Sequence, residues 1–161
     1  MPRQATHFVD QNSVADYLIC TARQCGELLT NLKLQKLLYY AQAWYVAFYD
    51  EPLFDEEFRA WKHGPVLPTQ YRRFRHAGWN PILDRLNPPE LPEWVSVHLQ
   101  EIIQGYGSES AIALEQMTHS EAPWREARGN LDPDQNSNRA ISTDSMRAFY
   151  GAIRNSVEKS A

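Results

Sequence analysis

The stretch from Leu34 to Phe48 constrains the fold more than any other part of the sequence. Thr30 is a candidate N-cap in front of it, and no glycine or proline interrupts it before Pro52. Its apolar residues recur at spacings of three and four, which place them on one face of a helix: Leu34, Leu37, Leu38, Ala41, Trp44, Tyr45 and Phe48. The pattern predicts a helix over residues 31–49, about 28 Å long, as the central element of the core.

Shorter elements are predicted on both sides of this helix. Ser13 and Asp16 resemble a capping box that opens a helix ending near Ala22. Apolar and charged residues alternate over residues 54–61, which is typical of a short strand, and His63-Gly64-Pro65 must turn the chain. Helical spacing recurs in four further stretches, over residues 68–77, 92–106, 108–118 and 143–156.

These patterns together predict a mainly α-helical fold. We expect a compact, single-domain bundle of about six helices, with one short β-hairpin near residues 54–67. A chain of 161 residues fits one domain. Residues 1–12 are interpreted as an N-terminal extension, residues 13–156 as the domain and residues 157–161 as a frayed tail.

Charge and hydropathy disfavour several classes of protein. The net charge of −4 argues against chain-wide attraction to nucleic acid or to anionic lipid. No apolar run approaches the ~20 residues of a membrane span, and residues 1–10 do not resemble a signal peptide. The predicted location is therefore the cytoplasm, with no membrane partner.

The sequence offers no recognisable catalytic motif. It contains neither a glycine-rich phosphate loop, nor a dinucleotide fingerprint, nor a nucleophile elbow. None of its five histidines has a ligand partner at a spacing typical of metal sites. We therefore predict a protein that is not an enzyme and needs no cofactor or metal. A hydrolase that uses His63 or His119 stays as an alternative, although the sequence nominates no nucleophile for it.

A locally basic stretch runs over residues 59–76. It contains Arg59, Lys62, Arg72, Arg73 and Arg75 with no acidic residue between them, and Trp61 and Tyr71 are interleaved. Arginine and aromatic residues are typical of protein-binding hot spots, but the same pattern can bind nucleic acid or form a solvated helix face. The acidic chain as a whole favours a protein partner, and a nucleic-acid-binding regulator is the alternative.

Three stretches of the chain resemble one known family. The first is Thr30 to Gln42, which includes Leu34-Gln35-Lys36-Leu37-Leu38-Tyr39-Tyr40. The second is Pro52-Leu53-Phe54 followed by Ala60-Trp61-Lys62-His63-Gly64-Pro65-Val66-Leu67-Pro68. The third is Thr118-His119-Ser120-Glu121-Ala122-Pro123-Trp124 with Ala127-Arg128. In this order and spacing they resemble the Panacea-domain family, which includes the SocA-like antitoxins and many proteins once labelled phage-associated. The resemblance covers about residues 10–155.

The resemblance implies a mainly helical antitoxin that binds and blocks a cognate toxin. It also implies a toxin encoded next door, a prophage association and, in one branch of the family, a proteolytic adaptor that hands the toxin to a protease. Some family members carry an additional N-terminal DNA-binding domain. Only about a dozen residues precede the domain here, so we do not expect autonomous DNA binding.

The candidate partner-binding residues come from the long helix and from the basic stretch. Lys33 and Lys36 lie off the apolar face of the helix, and the alternative interpretation of both is that they are solvated lysines beside the core. Trp61 and Pro65 have a structural alternative as well, which is to fix the hairpin. The candidates are Lys33, Lys36, Tyr40, Trp61, Lys62, His63, Pro65, Tyr71, Arg72, Arg73 and Arg75.

Overall fold

The computed structural model describes residues 8–160 of the chain. Seven α-helices, a 3-10 helix and a two-stranded sheet occur in this range. The helices are α1 (Gln11–Gln24), α2 (Asn31–Tyr49), α3 (Pro68–Arg73), α4 (Glu93–Tyr106), α5 (Ala111–Ser120), α6 (Ala122–Arg128) and α7 (Thr143–Ser160), the strands are β1 (Arg59–Trp61) and β2 (Gly64–Val66), and the 3-10 helix is Arg75–Ala77. The predicted mainly α-helical class is confirmed.

The predicted central helix is present with the expected bounds. The Thr30 side chain accepts a hydrogen bond from the Lys33 amide at 3.2 Å, and the helix ends at Asp50, which has a left-handed φ of 58°. Helix α2 packs against α1, α3, α4, α5, α7 and β2. Because neighbours surround it, its polar positions are buried along with most of its apolar face, although Phe48 at the end of that face is 52% exposed.

The hairpin forms, but its first strand is shorter than the alternation predicts. Strand β1 pairs antiparallel with β2, with Trp61 opposite Gly64 and Arg59 opposite Val66. Phe54 is buried but lies outside the strand. On its other side, β1 is bonded to the segment before α7, since the Ala60 amide donates to the Arg139 carbonyl at 2.8 Å. Both edges of β1 are therefore occupied.

The capping box predicted for the first helix is wrong. The N-cap is Asp10, whose carboxylate accepts hydrogen bonds from the Asn12 amide at 3.3 Å and from the Ser13 hydroxyl at 3.4 Å. A carboxylate caps as well as a serine hydroxyl does, so the helix starts at Gln11 and continues to Gln24.

One aromatic cluster joins the two long helices. The rings of Tyr39 and Tyr150 meet edge to face at 6.1 Å, and Tyr39 meets Phe58 at 5.4 Å. Their packing ties α7 to α2. Helix α7 continues to Ser160, so residues 157–160 of the expected frayed tail are helical. No helix between residues 8 and 160 is long and apolar enough to cross a membrane.

Candidate partner-binding cleft

A cleft of about 1110 Å³ lies between the start of α2, the hairpin, the α3 region and the loop at 136–138. Four basic and two acidic side chains line it, together with three large aromatic rings. Six of the predicted partner-binding residues line this cleft: Trp61, Lys62, His63, Tyr71, Arg72 and Arg75. The other five, Lys33, Lys36, Tyr40, Pro65 and Arg73, do not.

Lys33 is not a solvated lysine. Its side chain is 9% exposed and its ammonium group pairs with the Glu27 carboxylate. The ammonium also donates to the Gly107 carbonyl at 2.7 Å. Lys33 therefore fastens α2 to the end of α4, and its place beside the apolar stripe did not bring it to the surface.

Lys36 is completely buried beneath the hairpin turn. Its ammonium donates to the carbonyl of Pro65, itself a buried residue, at 3.0 Å. Burial lowers the pKa of Lys36 to about 7, and the negative charge of Glu115 opposes this shift. Lys36 and Pro65 therefore support the turn from below, and both are unavailable to a partner.

Tyr40 is part of the core. It has no exposed surface, stacks on Tyr106 at 4.0 Å and donates a hydrogen bond to Glu121 at 2.6 Å. Burial raises the pKa of Glu121, and the hydrogen bonds from Tyr40 and Tyr150 oppose that rise. The apolar spacing of α2 did not reveal this role, because the carboxylate that Tyr40 meets lies far along the chain.

Arg73 is not a free surface cation either. It pairs with Asp16 on α1 at 2.6 Å, and both side chains are largely covered. Its guanidinium also donates to the Asn12 carbonyl at 3.3 Å and lies over the Phe74 ring. These contacts fix α3 against α1, so packing accounts for Arg73, which was predicted as a partner-binding residue.

The remaining cations of the cleft have no such partners. The side chains of Lys62, Arg72 and Arg75 make no hydrogen bond or ion pair with any residue between 8 and 160, and both arginines are exposed. Glu56, in contrast, is occupied, because its carboxylate accepts from the Thr69 amide at 3.0 Å. The rim therefore presents three cations that have no hydrogen-bonded or ion-paired partner among residues 8–160, and with Arg59, Glu56 and Glu57 included (four cations, two carboxylates) the lining of the cleft keeps a formal charge of +2.

Aromatic rings line the same cleft. Trp61 meets Tyr71 edge to face at 4.9 Å and donates from its indole to Asn138 at 3.0 Å. Trp79 is 75% exposed and meets the His63 ring at 6.0 Å. Sequence reasoning missed Trp79; its position just after the helix stop Gly78, outside any apolar pattern, was the available signal.

His63 and His119 belong to different environments. His63 is exposed on the rim and pairs with Glu115 of α5 at 2.6 Å. His119 stacks on Trp124 at 4.0 Å outside the cleft lining, and burial lowers its pKa. Its Nε2 atom is buried with no partner among the described residues.

Two comparisons with known proteins agree with the resemblance noted in the sequence. The model of the family "Antitoxin SocA-like, Panacea domain" matches residues 34–125, which include most of α2, the hairpin and α5. The chain is 32% identical over 129 residues to Antitoxin SocA of Caulobacter vibrioides (strain NA1000 / CB15N), a match that covers 72% of this chain and 69% of that protein. No solved structure matches it. The chain belongs to the family of SocA-like antitoxins with a Panacea domain.

Proposed function

We propose that this antitoxin neutralises its toxin by binding it directly, and that the cleft is the binding surface. The observation that carries the proposal is the group of unpaired cations at one concave site, Lys62, Arg72 and Arg75, beside the exposed ring of Trp79. Packing and internal pairing do not account for these side chains. An acidic partner that covers the cleft would pair with these cations and pack against the exposed ring.

The residue types favour a protein partner. Tryptophan, tyrosine and arginine dominate binding hot spots, since they combine a large apolar area with a polar group. A central residue of this kind contributes about 2 kcal/mol or more, which is roughly a thirtyfold change in affinity. A cleft with several such residues can therefore support strong binding without any catalytic step.

Co-expression with the product of the neighbouring reading frame tests the proposal. We expect that product to stop growth alone and the antitoxin to restore growth and to co-purify with it. The double variant Arg72→Glu/Arg75→Glu should lose both effects, because it reverses two unpaired charges. Arg125→Glu/Lys159→Glu is the matched control, since it makes the same charge change at exposed positions outside the cleft.

Two outcomes would contradict this assignment. If the neighbouring product is harmless, or stays toxic beside the wild-type chain, it is not the partner and neutralisation by binding is not supported. If Arg72→Glu/Arg75→Glu protects as well as the wild type does, the toxin binds elsewhere. Thermal unfolding of each variant separates a lost contact from a lost fold.

An adaptor role would add a protease to this complex. It rests on toxin binding and has a separate readout, the lifetime of the toxin in growing cells. An adaptor shortens that lifetime in the presence of the antitoxin, whereas simple neutralisation leaves it unchanged or lengthens it. The experiment therefore distinguishes the two modes once the toxin is known.

A nucleic-acid-binding regulator is the competing function. Of the five cations in residues 59–76, Arg73 pairs with Asp16 and Arg59 donates to the Asn138 carbonyl at 3.4 Å. The three that remain are few for a phosphate-binding surface on a chain with a net charge of −4. Salt-sensitive binding of DNA or RNA that Arg72→Glu/Arg75→Glu abolishes would favour the regulator instead.

A further inference from the structure

The floor of the cleft and its rim differ in chemistry. Polar groups on the floor already have intramolecular partners. The side-chain nitrogen of Gln35 donates to the side-chain oxygen of Asn31 at 2.9 Å, and the side-chain oxygen of Gln35 accepts from the backbone amide of Leu67 at 2.9 Å. Asn31 in turn donates to the Tyr71 carbonyl at 3.1 Å. The floor therefore offers an occupant mainly ring faces, while the rim offers positive charge.

The rim charges come from two different parts of the chain. Lys62 belongs to the hairpin turn, whereas Arg72 and Arg75 belong to α3 and the 3-10 helix. An occupant that pairs with both sets needs more than one carboxylate. Because a charged group removed from water must be paired, a neutral occupant would leave these cations without compensation.

The shape of the cleft restricts the occupant further. Its volume of about 1110 Å³ slightly exceeds that of pockets that enclose whole small-molecule ligands, ~300–1,000 Å³. A flat folded surface would cover the rim and leave the floor empty. A protruding segment can enter and place side chains against the rings of Trp61, Tyr71 and Trp79 that line the cleft.

From these observations we infer that the cleft binds an extended acidic segment of the partner protein, with an apolar or aromatic side chain on the floor and carboxylates at the rim. The inference rests on the proposed function and names the part of the toxin that this site recognises. Nucleobases suit the floor less well, because base edges need free hydrogen-bonding groups and those of Gln35 and Asn31 are engaged.

Short capped peptides titrated into the full chain test this inference by calorimetry. The probe is a peptide of glutamates around two phenylalanines, and its matched control has every glutamate replaced by glutamine. We expect the glutamate peptide to bind about tenfold tighter or more, and added salt to weaken it. Trp79→Ala and Arg72→Glu/Arg75→Glu should each weaken it by about tenfold or more, and Arg125→Glu/Lys159→Glu should not.

Equal binding of the two peptides, or tight binding of the glutamate peptide by Arg72→Glu/Arg75→Glu, would overturn the inference. So would a single-stranded oligothymidylate that binds tighter than the peptide at the same salt concentration. If the peptides fail while the same variant loses toxin capture, the partner uses a folded surface, so the inference fails and the proposed function stands. If the variant still captures the toxin, the proposed function fails at this site.

Discussion

At the scale of single residues, the buried Lys36 gives the molecule a pH dependence. A buried lysine without a carboxylate in hydrogen-bonding contact is costly when charged. Glu115 is the acid whose charge favours the ammonium form, while the nearby His119 can become a further cation. The neutral amine can still donate to the Pro65 carbonyl, so deprotonation removes the charge without removing the support of the turn.

We predict that stability rises with pH above about 7 because of Lys36. The folded-state pKa is about 7 and the ordinary value is 10.5, so between them the unfolded chain binds more protons and the free energy of unfolding increases. The slope contributed is at most about 1.4 kcal/mol per pH unit. Urea unfolding between pH 7 and pH 9 measures it.

The variant Lys36→Met should flatten that slope, since methionine has no proton to exchange. Lys159→Met, at an exposed position of α7, is the matched control and should keep the slope of the wild type. An unchanged slope in Lys36→Met would mean that other groups account for the pH dependence.

At the scale of elements, the hairpin turn depends on close contact with α2. Gly64 has a φ of +98°, and a Cβ atom placed there would lie 2.6 Å from Lys36 Cε and 2.9 Å from Thr118 Oγ1. Both neighbours are buried, so they have little room to move. The turn that carries Lys62 and His63 is therefore positioned by a glycine that lets β2 approach α2 and α5.

Gly64→Ala should destabilise the protein more than Gly26→Ala does. Both positions have a positive φ, which costs alanine about 1–2 kcal/mol, but nothing lies within 4 Å of a Cβ atom at Gly26. The additional steric cost at Gly64 is about 1–3 kcal/mol. Denaturant unfolding of both variants measures the difference in stability. Equal losses of stability would show that Gly64 is not tightly packed against Lys36.

Local sequence patterns predicted the bounds of the elements better than they predicted which polar side chains are buried. The spacing of apolar residues and the Thr30 cap gave the bounds of α2, because both signals are local in the chain. The burial of Lys33 and Lys36 did not follow from that spacing, since it depends on α4, α5 and the hairpin closing over the polar face. Six candidates lie together at the cleft because their segment of the chain folds back on itself, whereas Trp79 had no periodicity to indicate it.

At the scale of the whole molecule, the cleft is assembled from distant segments that Arg128 holds together. This guanidinium is buried, lies over the Trp124 ring at 4.7 Å and makes no ion pair with a residue in the range 8–160. It donates instead to the Ala60 carbonyl at 3.0 Å and to the Asp132 and Gln135 carbonyls at 2.8 and 2.6 Å. One side chain thus joins β1 to the loop that continues into the 136–138 wall of the cleft.

Arg128→Met should therefore loosen this wall and weaken partner binding while the helical core stays folded. The methionine side chain can still pack on Trp124, but each carbonyl that Arg128 contacts loses a hydrogen bond. Such a loss costs about 1–3 kcal/mol where the carbonyl is buried. Hydrogen exchange should speed up at residues 132–141 and not within α2. Arg139→Met is the matched control, because Arg139 is exposed and its side chain donates to one carbonyl only, that of Arg128 at 2.9 Å. Equal exchange in both variants would refute the role of Arg128 as the joint.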